Sequence, residues 1–236
     1  MLLYIIGLEG VNTMIITIDD KNYDRLPIKT HLIDQTDNMV DVVRKYVPSE
    51  FKKNDVLFIS EKAVSVSQGR SFFVNEIKPS VMANFISKFV TRSPYGIGLG
   101  MPETMEMAIR ECGLPKILLA STIGGFSKKV LGRSGDFYRI AGPKARSIDG
   151  PTSGTIPPLN KCVVLGPKDP DKVAMAIEKK LNIPCIIVDI NDLGQDILGF
   201  SNKELKEKRK LFEKLLSDNP LGQGHEQTPL GLIRQI

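Results

Sequence analysis

The chain is poor in the residues that bind soft metals: it has two histidines and three cysteines, and no Cys-x-x-Cys pair. Cys112, Cys162 and Cys185 stand in apolar contexts and read as core thiols of a protein in a reducing cytoplasm, which argues against a zinc site. Long apolar runs are also missing. Residues 1–6 are apolar but lack a basic flank and fall far short of the roughly 20 residues of a membrane span, so they read as a first strand and no membrane partner is expected. Met14 is an alternative start. The net charge of +5 and pI near 9.0 suit anionic ligands, yet Lys and Arg are interleaved with Asp and Glu, which argues against nucleic acid as a partner. Neither Walker spacing of Gly and Lys nor a dinucleotide fingerprint is present. The glycine-rich residues 95–100 follow Arg92, Ser93 and Pro94 instead of a hydrophobic strand, and read as a flexible connection.

What is there is ordinary globular composition, 42% hydrophobic and 25% charged, enough for one substantial core or two small lobes. The most informative run is residues 146–199. Residues 146–154 are rich in Gly, Pro and hydroxyl residues and form a shaped loop carrying Asp149. An apolar strand over 161–165 follows, closed by Gly166 and Pro167. Asp169 and Pro170 then start a helix with Val173, Ala174, Ile177 and Leu181 on one face. A second strand, 184–188, delivers Asp189 at its carboxyl end as a polar run begins at Asn191. Strand, helix and strand make a βαβ unit with a parallel pair 162–165 and 185–188, and open α/β sheets bind ligands at the carboxyl ends of their strands.

Elsewhere, residues 14–18 read as a strand and 26–33 as an extended segment. A helix capped by Thr36 or Asp37 carries Met39, Val42, Val43 and Tyr46 and stops before Pro48. The buried strand 56–59 opens onto residues 60–70, which could wrap an anion with backbone N–H groups, Lys62 and Arg70, or be an ordinary surface turn. Pro79 and Ser80 begin a helix with a buried stripe of Met82, Phe85, Ile86 and Phe89. Pro102 begins another, with Met105, Ala108, Ile109 and Cys112 on one face. Residues 121–136 read as a glycine-containing loop in which Lys128, Lys129 and Arg133 serve phosphates or are simply solvated, and 137–141 as strand-like. Ser201 and Glu204 form a capping box for a helix with Leu205, Leu211, Phe212, Leu215 and Leu216. A polar glycine loop over 221–227, including the solvated His225, leads into a last strand at 230–233.

With these pieces placed, the chain resembles the coenzyme F-420 gamma-glutamyl ligase family from about Leu26 to the end. Val64, Ser65, Gly69 and Arg70 match the family's Val-Ser-Lys-Ala-Glu-Gly-Arg type motif. Ile148 and Asp149 match its Gly-Ile-Asp loop, and Ile187 and Asp189 its Ile-Ser-Asp-Thr segment. Departures stand at Val66, Gln68, Ile190 and Gln223, where the family carries lysine, glutamate, threonine and an acidic residue. The resemblance implies a mixed α/β sheet of gamma-glutamyl-ligase-like fold, with residues 1–25 as an N-terminal strand extension, 26–236 as the domain and a divergent insert at about 92–142.

It also implies an amide-forming ligase that uses GTP and a divalent metal, Mg or Mn, acts on a small acidic substrate and pairs as a homodimer. Lys62, Ser65, Gly69, Arg70, Gly222 and Gly224 would then contact the nucleotide, and Asp149, Asp189 and Glu226 would hold the metal. The same acids have a purely structural reading, with Asp149 fixing its loop through an Asx-turn and Asp189 capping a strand end. The departures keep open a relative that binds without catalysing.

Overall fold

The computed structural model describes residues 14–48, 51–52, 54–90, 98–133, 135–191, 194–222 and 225–236; the strand expected over 1–6 and most of the connection at 95–100 lie outside them. In chain order the elements are β1 (Met14–Ile18), β2 (Lys21–Ile28), α1 (Met39–Tyr46), β3 (Val56–Ser60), α2 (Glu61–Ser67), β4 (Ser71–Phe73), α3 (Val81–Ile86), α4 (Pro102–Cys112), α5 (Leu114–Leu131) and α6 (Asp136–Ala141). There follow α7 (Pro143–Arg146), β5 (Cys162–Val164), α8 (Pro170–Leu181), β6 (Cys185–Asn191), β7 (Gly194–Phe200), α9 (Lys203–Glu207), α10 (Arg209–Leu215) and β8 (Leu230–Gln235). They group into two compact units, one made of Met1–Gln68 with Pro167–Ile236, the other of Gly69–Gly166.

The first unit is built on a six-stranded mixed sheet in the order β1-β2-β8-β3-β6-β7, the mixed α/β class that the sequence implies. Only β3 and β6 run parallel; the other neighbours are antiparallel. The parallel pair is not the expected one. β5, read from the sequence as the parallel neighbour of β6, belongs to the second unit and pairs antiparallel with β4. A buried strand followed by a helix looks the same whichever strand lies beside it, and the true crossover starts at β3 and contains the whole second unit before it reaches α8. β3 and β6 are buried on both faces: Leu57, Phe58 and Ile59, and every residue from Cys185 to Val188, are fully covered. Phe58, Ile186 and Val188 join Ile197, Phe200, Leu205, Phe212 and Leu215 in one cluster beneath α9 and α10. Strand alternation sends Leu57, Ile59 and Ile187 the other way, to the side packed by α2 and α8.

Two glycines set close approaches in this unit. A Cβ on Gly199 would lie 2.5 Å from the carbonyl carbon of Pro170, so the start of α8 rests on β7, where Asp171 Oδ1 accepts the Phe200 N–H at 2.7 Å. Gly231 in β8 leaves room for the ring of Phe58 across the strand pair.

Several helix starts shift by a residue or two from the sequence reading. α1 is capped by Asn38, whose Oδ1 accepts the Val40 N–H at 3.0 Å, because Thr36 and Asp37 are engaged elsewhere: Thr36 donates to Asp34, and Asp37 accepts from Asp34 and His31. α9 is capped by Asn202 rather than Ser201, whose hydroxyl instead accepts the Cys185 N–H at 2.9 Å. Asp169 occupies the cap position of α8, but its carboxylate turns to Lys172 at 2.8 Å.

The second unit surrounds a core of Leu99, Met105, Met107, Ala108, Ile117, Ala120, Ala141, Ile148 and Val163. The two methionines are packing, as their spacing suggests. Residues 121–129, read as a loop, are the middle of α5. Gly124 does not break that helix; it admits α6, since a Cβ there would lie 2.9 Å from Cβ of Phe137. Residues 137–141 are α6 and not a strand, because a short apolar run has no period long enough to tell the two apart. α3 buries Ala83 and Ile86, whereas Phe85 and Phe89 are 57% and 67% exposed. Phe85 and Phe89 instead pack edge to face on one another outside the core, ring centroids 5.1 Å apart, as the chain tightens into a 3₁₀ turn over Ser87–Phe89.

Glu106 fastens α4 to the start of α3, accepting the Ser80 N–H at 2.9 Å and Arg110 Nε at 3.0 Å. Burial alone would raise its carboxyl, but these donors outweigh it and hold the group below the ordinary glutamate value of 4.5. A depressed carboxylate contributes stability that is complete above the unfolded value and is lost as pH falls through the lower folded value. Glu106→Gln should therefore cost about 1 kcal/mol near neutrality and lose less than the wild type between about pH 5 and pH 3. Urea titrations at several pH values test this, and parallel acid limbs for the two proteins would disprove it.

The chain leaves the first unit after Gln68 and returns at Pro167, and both sides of that passage are tied. In the first unit the Gln68 amide donates to the Lys168 carbonyl at 3.0 Å and accepts the Lys168 N–H at 2.7 Å. In the second, Leu165 N–H donates to the Arg70 carbonyl at 3.0 Å and Arg70 Nε to the Gly166 carbonyl at 2.6 Å.

Candidate functional site

The first unit brings three chemistry-bearing segments to one edge of its sheet. β3 ends at Ser60, opposite Val188 of β6, so Glu61 and Lys62, which follow β3, leave the sheet beside Asp189, the next residue of β6. β8 runs the opposite way and begins at that edge, and the Ser60 N–H donates to the carbonyl of Pro229 at 2.9 Å. Residues 225–229 are thereby held beside the end of β3, with Lys62 and then Asp189 following in the order of the strands. This is the carboxyl edge of the parallel pair, where open α/β sheets place their ligands.

The loop is pinned at several points. Thr228 Oγ1 donates to the Leu221 carbonyl at 2.6 Å, Asn219 Nδ2 to the Gly222 carbonyl at 3.1 Å, and the Thr30 N–H to the Gln227 carbonyl at 2.9 Å. Gly222 has φ +80, and a Cβ there would lie 2.8 Å from Cδ of Glu226, so the carboxylate of Glu226 folds onto a backbone that only glycine leaves open. Gly224, with Gln223 and Asp192, lies outside the described residues.

Asp189 is not at the end of its strand. β6 continues to Asn191, and residues 194–200, read in part as a polar run, return as β7 with Asp189 opposite Asp196. A bulge at Ile187 and Val188 bends the ladder just before the pair. Asp196 is the residue that sequence reasoning missed. Its carboxylate accepts Arg209 Nη1 at 3.0 Å and the Ile197 N–H at 2.8 Å, which offsets the like charges facing across the strands. The signal was the short polar Asn-Asp-Leu-Gly step between two apolar runs.

The motif region after β3 is a helix, α2, rather than an anion-wrapping loop. Lys62 is half-buried in its first turn, whereas Ser65 is 1% exposed and turned into the core. Val66 is 4% exposed, so an ammonium at this position would be desolvated. Gln68 both donates and accepts in its tie to Lys168, which a carboxylate could not do. Gly69, Arg70 and Asp149 lie in the second unit. Gly69 adopts φ +67. Arg70 is buried, and its guanidinium is engaged by Glu111 at 2.8 Å and by Gly166. Asp149 is exposed, and its backbone makes a two-bond bridge to Val164.

An open groove of about 400 Å³ in the first unit is lined by Asn38 and Met39 at the start of α1, Ser67 and Gln68, and Lys168 and Lys172 around the start of α8. Asp37 at its rim accepts from His31 Nε2 at 2.9 Å, while His31 Nδ1 lies 2.9 Å from the Tyr46 hydroxyl. Since the carboxylate only accepts, Nε2 carries the proton toward it.

A family model for F420-0:gamma-glutamyl ligase matches residues 27–190, more than half of the chain. The chain belongs to that family. The F420-0:gamma-glutamyl ligase match spans β3, β6 and the whole second unit, and so includes Lys62, Asp149 and Asp189 but not the loop that carries Gly222 and Glu226. Comparison with curated proteins gives no match. Among the described residues no group of three or more His, Cys, Asp or Glu is placed to hold a metal ion. The acids at the sheet edge are hard oxygen donors, which suit Mg or Mn carried largely by nucleotide phosphates through one or two carboxylates.

Proposed function

We propose that the protein is a nucleotide- and metal-dependent ligase that forms an amide between an amino acid such as glutamate and an acidic acceptor. The observation that carries this reading is that Lys62, Asp189 and the chain entering β8, with Gly222 and Glu226, all lie toward the carboxyl edge of β3 and β6. The family works with GTP and a divalent metal, which favours GTP as the nucleotide here. In this reading Lys62 meets phosphate, Asp189 is the metal carboxylate, Glu226 is a further candidate, and two copies pair as a homodimer. The acceptor carboxylate takes the γ-phosphoryl group, giving an acyl phosphate and the nucleoside diphosphate. The amine then attacks that carbonyl, forms the C–N bond, expels phosphate and loses one proton.

Titration calorimetry with GTP and ATP, each with Mg or Mn, tests the proposal. GTP should bind only with metal, and Asp189→Asn should weaken it at least about tenfold, the scale of losing one charged ligand. Absence of binding for both nucleotides with both metals would sink it. A second reading, a relative that binds without catalysing, is favoured by the burial of Val66 and the tie of Gln68 to the Lys168 backbone, where the family has lysine and glutamate. Metal-dependent GTP binding without phosphate release, across a panel of acidic acceptors and amino acids, would select it.

A further inference from the structure

Among the described residues, helix α5 has an apolar face that nothing covers. Ile117 and Ala120 are fully buried, but Leu119, Ile123, Phe126 and Val130 are 53%, 42%, 63% and 59% exposed. Their spacing of four, three and four residues puts them in one stripe along about three turns of helix. Leu131 extends it, also 59% exposed.

The charges around that stripe have one sign. Lys116, Lys129 and Arg133 are exposed at its two ends, and no Asp or Glu occurs anywhere from Leu114 to Leu131. The second unit as a whole carries 13 Lys and Arg against 6 Asp and Glu, whereas the first carries 19 against 21. Three of those six acids, Glu106, Glu111 and Asp136, are engaged by Arg110, Arg70 and Arg139. The balance that argues against a polyanion for the whole chain thus hides a basic unit bearing an apolar helix face.

A surface that is apolar along its middle and cationic at its rims complements a partner that is apolar and anionic. A second copy docked through the same stripe does not fit. Antiparallel pairing would bring Lys129 and Arg133 of one copy against Lys116 of the other, parallel pairing would set each cation against itself, and the helix has no carboxylate to offset either.

We propose that α5 lies flat on an anionic bilayer, with Leu119, Ile123, Phe126 and Val130 at the headgroup boundary and Lys116, Lys129 and Arg133 on the acidic headgroups. Apolar insertion or basic attraction alone gives marginal binding; the two together anchor a peripheral protein. No helix among the described residues is long and apolar enough to cross a membrane, so the contact is with the surface.

The test is co-sedimentation of the full chain with vesicles of phosphatidylcholine alone or with about one third phosphatidylserine. Binding should require phosphatidylserine and fall at least about tenfold between roughly 0.1 and 0.5 M salt. Lys129→Glu and Phe126→Ser, both at exposed positions and checked for unchanged circular dichroism, should each weaken it about tenfold. The proposal is overturned by absence of binding to the anionic vesicles, by equal binding to both kinds, or by variants that bind like the wild type. A solution mass that drops by half in Phe126→Ser would make a second copy the occupant and overturn it as well.

Discussion

Arg234→Met is expected to lower the stability of the protein by about 3–5 kcal/mol, read as an earlier urea midpoint with an unchanged slope. The partner explains the size of the effect. Asp55 is 1% exposed, and its two oxygens take a fork from Arg234, Nε to Oδ1 at 2.9 Å and Nη2 to Oδ2 at 2.6 Å, with the Lys52 N–H adding 2.7 Å. The pair ties β8 to the turn that enters β3, two neighbours in the middle of the sheet. Removing the guanidinium leaves a carboxylate out of water without a counter-charge. Adding Asp55→Asn should therefore restore part of the loss, because most of the cost belongs to the stranded charge and not to the missing bond. A single variant within about 1 kcal/mol of wild type would show that water reaches Asp55 and that the pair is not structural.

Gly231→Ala should cost about 3 kcal/mol although alanine is a better strand residue than glycine. A Cβ at this position would lie 2.3 Å from Cζ and 2.5 Å from Cε1 of Phe58, whose ring is fully buried in the cluster under α9 and α10. The ring cannot swing into solvent, so the strand pair must part or the cluster must deform. Reducing the ring should relieve this: Gly231→Ala in a Phe58→Leu background should cost much less than in the wild type. Additive losses in that double-mutant cycle would mean that the clash is absorbed elsewhere.

What was readable in the sequence followed the strength of its periodicity. β3 and β6 stand out because residues covered on both faces form continuous apolar runs, and α4 and α8 because Pro marks their first turn and apolar residues recur on one face. Pairing was not readable. The run 161–181 describes a strand and a helix faithfully, but nothing local shows that the neighbour of β6 is a strand 125 residues earlier, at Val56–Ser60. α5 was lost for a different reason. It is apolar on both faces, so it has no amphipathic period, and its Gly124 and Gly125 look like a turn although one of them is a packing contact with α6. At the sheet edge the sequence marks Asp189 but not its strand partner Asp196, because a polar run with glycine shows no strand period although residues 194–200 are a strand. The motif segment after β3 was misread for the same reason in reverse: its small and hydroxyl residues suggested a loop, but Ala63, Val64, Ser65 and Val66 are the buried face of a helix.

The ties on either side of the passage between the units bear on the order in which the chain folds. β3 and β6 must meet although residues 61–184 lie between them, and closing so long a loop early is slow. The second unit is mostly short helices with local contacts, and once formed it holds Arg70 beside Leu165 and Gly166. From then on only residues 61–69 and 167–184 remain to be ordered, which lowers the closure cost by about 1 kcal/mol. By topology the parallel pair is the slower step and is expected to follow the helical unit, with the Gln68 and Lys168 contacts then joining the two ends of the chain within the first unit.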